Sequence, residues 1–414
     1  MSNTSSNSLR GTPQEVSQPS SELQRTAESY LVSGNLVENE RLLQKRLKGD
    51  QKNDELRFSL GILQFLEAVS RLMESIHYYG LREYSSQMFG SGLFRLPIPH
   101  NDTPHQISYL QIRDIASDLL HDLERAETTF AGFTDRNVKL PVHFGQIRLS
   151  LTSSDGKAEG TNEQYLWKVY SNVTGTTITA DQAASFLICF DDGDVHWLRG
   201  YLHLLMAICE MYLAYDSEET FNCTAHLIFA KVASPYTFLS ASKHVHTLSG
   251  SDADIADLIS VIHTIRWPLK EPARLKSALQ HWRTTVSESK VSWASIMAET
   301  DDDHEWLPNP KQTGVIPGAV VTQPMIDSWL AMMDQAGKIL DGELLIPFWR
   351  GEAGTGVNLR KAFLEPTNFD LVLWVQGPAV APYLERGALA KSEPWLRLPR
   401  EFGSQLPGFA LWFN

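Results

Sequence analysis

Three cysteines in 414 residues are too few for a disulfide framework, and Cys189, Cys209 and Cys223 lack the Cys-x-x-Cys spacing of a zinc site. They read as small buried hydrophobes in a reduced compartment. No basic run interrupts a formal net charge of -13, which excludes phosphate-backbone binding as a main role and makes nucleic acid an unexpected partner. The opening residues 1–22 contain no apolar h-region, so the expected location is cytoplasmic. The sequons at Asn3, Asn101, Asn172 and Asn222 then carry no weight. There is no His-Glu-x-x-His helix and no Gly-x-Ser-x-Gly elbow, which removes the commonest metalloprotease and hydrolase signatures.

What the chain does have is one long apolar block, Asp191 to Asp216. At 100° per residue, His196, Arg199, His203 and Glu210 fall within roughly one sixth of the circumference and the rest is apolar. A helix of this kind belongs in an interior. It is long enough to span a bilayer, but an arginine, two histidines and a glutamate within the span argue against membrane insertion. Asp194 is the expected N-cap, with Asp191 and Asp192 adding negative charge where the helix dipole is positive.

On either side of this block the pattern is mostly helical. Residues 1–21 lack apolar content and predict a disordered tail. Helical spacing then covers Leu23 to Leu31, Leu42 to Leu47, Asn53 to Tyr79 and Gln106 to Phe130. Gly80 to Pro104 reads as a long connection, Val138 to Leu151 as a strand, and Glu163 to Val169 and Ala180 to Phe190 as helices. Further helices are expected over Glu218–Val232, Ala253–Trp267, Arg274–Val286, Val291–Ala298 and Met325–Leu340. An acidic, then Gly- and Pro-rich stretch at 301–323 separates a helical domain, 22–300, from an α+β segment, 324–414. In that last segment ELLIPFW and FDLVLWV predict two buried strands, or one strand and the start of a helix.

Ala27, Tyr30, Gly34, Leu43 and Asp50, with Leu60 and Gly61 opening a second unit 34 residues after Ala27, make residues 22–66 resemble the tetratricopeptide repeat. Asn39 and Arg46 stand where that family has alanine, and Gln51 where it has proline. The resemblance implies stacked helical hairpins, and such stacks present a concave surface for a protein or peptide.

Four groups of residues suggest chemistry. The stripe of His196, Arg199, His203 and Glu210 either forms internal ion pairs or lines a cleft where Arg199 meets an anion. Asp301, Asp303, His304 and Glu305 supply oxygen and nitrogen donors in a loop, a candidate metal site. The stretch Gly351 to Gly356, with glycines five apart, begins like a P-loop, and Arg350, Gly354 and Gly356 suggest an anion nest, but Val357 and Asn358 replace the Lys and Ser/Thr of a P-loop. His244 and His246 share a face if extended, without a carboxylate or cysteine to complete a zinc site.

The expected fold is mainly α, stacked antiparallel helical hairpins around a buried central helix with a small β element. The expected function is a cytoplasmic binding or scaffold module that takes a protein or peptide, or a small anionic ligand, with no cofactor. A metal-dependent enzyme built on residues 301–305 or on the central stripe is the alternative.

Overall fold

The computed structural model describes residues 26–82, 98–134, 138–151, 162–168, 171, 178–241, 250–316 and 320–403. The helices are α1 Ala27–Val32, α2 Leu36–Gly49, α3 Asp54–Tyr79, α4 Tyr109–Phe130, α5 Ala180–Ala184, α6 Asp192–Ala214 and α7 Glu218–Thr224. They continue as α8 Thr237–Ala241, α9 Gly250–Thr264, α10 Pro272–Ala298, α11 Gln323–Leu340, α12 Leu359–Leu364, α13 Leu371–Gln376 and α14 Glu393–Phe402. The strands are β1 Leu140–His143, β2 Arg148–Leu151, β3 Asn162–Tyr165, β4 Leu187–Phe190, β5 Arg266–Trp267, β6 Ile346–Pro347, β7 Thr355–Val357, β8 Phe369–Asp370 and β9 Leu384–Arg386. The fold is mainly α with a small β element.

The long helices form an antiparallel series. Glu40 of α2 accepts from Gln64 of α3 at 2.8 Å. Arg71 and Asp122, Arg125 and Glu67, and Thr134 and Asp54 pair in reverse order along α3 and the far end of α4. Arg199 meets Glu127 and Arg113 meets Leu213, so α6 runs against α4. The pairs Ser292–Gly193, Thr285–Gly200 and Arg274–Glu210 run α10 against α6. The helix α11 follows, with Trp329 Nε1 donating to Ser289 Oγ at 3.0 Å. One hydrophobic core runs through the series from Ala27 to Phe402. Stacking of this kind buries on each helix the apolar stripe that its periodicity sets out.

At residues 27–61 two departures from the repeat pattern hold the hairpin together. The Asn39 side chain, 2% exposed, donates to Tyr30 O and Ser33 Oγ, and Arg46 lies over the Tyr30 ring. Gly61 is required by the close approach of α4, because a Cβ there would sit 2.4 Å from Phe130 Cζ. The helix α3 continues unbroken for 26 residues.

Several boundaries differ from the sequence expectation. The cap of α6 is Asp191, whose Oδ1 accepts from Gly193 and Asp194; Asp194 is the third residue of the helix and its carboxylate accepts from Asp191 N, completing a capping box. Residues 138–151 form two short strands split by a 3-10 turn. Residues 162–165 form a strand, not a helix, because they pair with β2. The helix expected over 180–190 stops at Ala184, and Leu187–Phe190 pair with β1 so that Ile188 enters the core. Residues 218–232 are helical only to Leu227, after which Phe229 and Val232 bridge to Leu81 and Ile107. The two helices expected over 274–298 are one: the polar stretch at Glu288 and Ser289 faces other helices and does not break the chain.

In the last segment, Ile346 and Pro347 are exposed strand residues and α13 buries none of its side chains. Neither ELLIPFW nor FDLVLWV is a buried strand; the second alternative is the one found, with the short strand β6 in ELLIPFW and the start of α13 in FDLVLWV after the two residues of β8. From the 301–323 stretch, Trp306, Leu307, Ile316 and Val321 enter the main core. The tail 1–21, most of the 80–104 connection, and His244 and His246 lie outside the described residues. No helix among those described is long and apolar enough to cross a membrane.

Candidate functional site

Three features stand out around α6 and α10. The first is a polar layer between α4, α6 and α10. Arg199 donates through Nε and Nη2 to Glu127 Oε1 at 3.1 and 2.7 Å, and its Nη1 lies 2.9 Å from Glu288 Oε1. His196 Nδ1 stands 2.6 Å from Glu288 Oε2. His203 Nε2 stands 3.3 Å from Glu127 Oε1, and its Nδ1 is 2.8 Å from Nδ1 of His281. The stripe read from sequence thus brings His196, Arg199 and His203 into one network, while Glu210 pairs separately with Arg274 at 2.8 Å. Burial pushes the Glu127 carboxyl up, but hydrogen bonds from His203 and Arg199 outweigh it and hold the group below its usual range. Burial, then the neighbouring His203, pushes His281 down to about 4.

The second feature is a carboxylate cluster at the start of α6. One oxygen from each of Asp191, Glu299 and Glu305 lies within 4.8 Å of the others. Gly193 lets this site close in, since a Cβ there would sit 2.8 Å from Ile296 Cγ1 and 3.3 Å from both Asp191 Oδ1 and Glu299 Oε1. Glu299 Oε2 accepts from Gln312 at 3.0 Å, and Glu305 Oε1 accepts from Asp303 N at 2.8 Å. Burial, then the Asp191 charge, pushes Glu299 up to about 9. Burial also raises Asp191 and Glu305, and lifts Asp194 well above the carboxylate range with help from the Asp191 charge. Like charges so close in a poorly hydrated site keep a proton or take up a hard cation.

Of the loop expected to bind metal, only Glu305 joins this cluster. Asp301 pairs with Lys139, while Asp303 accepts from Cys189 Sγ at 3.4 Å and pairs with His304. His304 adopts φ 63 and is exposed. The Arg350, Gly354 and Gly356 trio does not form one nest. Gly356 lies in β7, the middle strand of the β6-β7-β9 sheet, and Arg350 stacks over Trp349 at 4.1 Å. Gly354 alone keeps a turn conformation, at φ +80.

The third feature is an apolar cleft of about 940 Å³ between α10, α11, α12 and α14, floored by Leu204 and Met211 of α6. Trp282, Trp329, Met332, Met333 and Phe363 form its walls and Trp395 stands at its mouth. Its volume and lining match those of sites that enclose small molecules. Lys391 lies on the rim. The Gln335 amide fixes the backbone there twice, donating to Lys391 O at 2.7 Å and accepting from Lys391 N at 2.8 Å. The Lys391 ammonium makes no ion pair among the described residues.

Sequence reasoning missed Glu127, His281, Glu288 and Glu299, because each comes from a helix or loop distant in sequence from the residue it meets. The cleft was also missed: Trp329, Met332 and Met333 have helical spacing, which marks a core face equally well. Comparison with models of known protein families, with curated proteins and with solved structures finds no match to this chain.

Proposed function

We propose that this protein is a helical binding module that holds a small amphipathic acid, its apolar body in the cleft between α10, α11, α12 and α14 and its anionic head at Lys391. The observation that carries this reading is the cleft itself, about 940 Å³ lined by tryptophan, methionine and leucine with one cation at the rim. Each CH2 buried there contributes about 0.8 kcal/mol, which for a medium-length chain leaves micromolar affinity after the cost of association. The three free cysteines fit a cytoplasmic site of action.

Calorimetric titration with dodecanoate and with dodecanol tests the reading. Dodecanoate is expected to bind with one-to-one stoichiometry, and Lys391→Gln to weaken it roughly tenfold, about 1.4 kcal/mol, while leaving the alcohol unchanged. Absence of saturable binding by either molecule rejects the proposal.

A second reading, a metal-dependent enzyme, is favoured by the Asp191, Glu299 and Glu305 oxygens within 4.8 Å of one another. Such a set suits magnesium or calcium better than zinc. A rise in melting temperature with either ion at pH 8, lost in Asp191→Asn, supports this reading; an unchanged melting temperature rejects it.

A further inference from the structure

The helix α9 carries its amphipathic pattern the wrong way round for a monomer. Ile255, Leu258, Ile259 and Ile262, at spacings of three and four, are 56%, 55%, 50% and 39% exposed. The side turned toward the body contains Asp257, Ser260 and Thr264. Thr264, 8% exposed, donates to Ser260 O at 2.8 Å, its own carbonyl accepts from Thr220 Oγ1 of α7 at 2.7 Å, and the Asp257 charge acts on His226. An apolar stripe of this spacing stays on a surface only when another element covers it.

The apolar face extends beyond one helix. The chain leaves α9 directly into β5, which pairs with β8, and β8 leads directly into α13, so the two helices flank one short ladder. On α13, Val372, Leu373 and Val375 are 41%, 40% and 61% exposed, and Trp349, 67% exposed, is tied to this helix by its Nε1 donating to Val375 O at 3.1 Å. Together these side chains expose on the order of 800 Å², the area that each partner of a standard specific interface contributes.

We infer that this face pairs with a second copy of the same chain, two α9 helices packing antiparallel across a two-fold axis between Leu258 and Ile259. That axis sets Ile255 against Ile262 of the second copy and Leu258 against its Ile259, so the stripe is its own complement. The helix dipoles choose the same direction. Parallel packing would set like ends of the two helix dipoles side by side, whereas antiparallel packing sets opposite ends together.

Sedimentation velocity of the full chain from low to high micromolar concentration tests this inference. The wild type is expected to sediment as a dimer. Ile259→Glu is expected to weaken dimerisation by at least about 100-fold with an unchanged circular dichroism melt, because it buries two unpaired carboxylates at the axis. Leu258→Cys, compared with the unsubstituted chain, is expected to form a new interchain disulfide on oxidation, and this result stands even if the glutamate variant folds poorly. A wild type that stays monomeric throughout overturns the inference, as does a dimer unaffected by Ile259→Glu and lacking the Leu258→Cys cross-link. A monomer that binds phosphatidylcholine vesicles through Ile259 assigns the face to a membrane surface and overturns it equally.

Discussion

His203 and His281 face each other Nδ1 to Nδ1 at 2.8 Å across α6 and α10, so one ring donates and the other accepts, and both cannot be protonated without losing that bond. Burial and the His203 charge hold His281 at about 4 in the folded protein, against 6.5 for an ordinary histidine. The unfolded chain therefore binds more protons than the folded one between these values, and stability is lost as pH falls from 6.5 toward 4. His281→Gln is expected to flatten this slope, removing about 1–2 kcal/mol of acid destabilisation between pH 7 and 5 after allowance for partial exposure. Urea denaturation at several pH values measures it; an identical slope in wild type and variant contradicts it.

The carboxylate cluster tilts the alkaline side. The folded pKa of Glu299, about 9, lies above the 4.5 of a free glutamate. Its contribution to stability is fully present below pH 4.5 and is lost as pH rises through about 9. Glu299→Gln keeps an amide at Gln312 and Asp191 but cannot ionise, so it is expected to be more stable than wild type by about 1–3 kcal/mol at pH 9.5 and to match it near pH 5. Equal loss of stability with rising pH in both proteins contradicts a shared proton at this cluster.

Arg199 lies between Glu127 and Glu288, its side chain 20% exposed and theirs 14% and 11%. Removing it leaves two largely buried carboxylates without their cation. Arg199→Ala is expected to cost about 2–4 kcal/mol of unfolding free energy, above the 0–1 kcal/mol of an exposed pair. Dodecanoate affinity is expected to stay unchanged, because Arg199 does not line the cleft. A stability loss under about 0.5 kcal/mol in chemical denaturation contradicts the structural role.

These contrasts show what the chain reveals on its own. Periodicity located α3, α4, α6 and α11 to within a few residues, since their apolar stripes are long and regular. It failed at Leu187–Phe190, four residues whose strand identity depends on the β1 partner, and at Glu288 and Ser289, whose polar side chains suggest a loop until their partners on α6 and α11 are seen. The stripe on α6 was visible because it lies on one helix. Its counterparts were not, because Glu127 stands 72 residues before Arg199 and Glu288 stands 92 after His196. The cleft has no sequence signature, because Trp329 and Met332 read alike whether they meet another side chain or an apolar ligand.

The most direct test of the binding role uses the cleft's own Trp282, Trp329 and Trp395 as reporters. Tryptophan fluorescence is followed during titration with dodecanoate, in wild type and in Ala336→Phe, which fills the cleft. A saturable spectral shift in wild type that is absent in a folded Ala336→Phe protein is the predicted result. No shift in wild type, or the same shift in both proteins, contradicts the assignment of the cleft as the binding site.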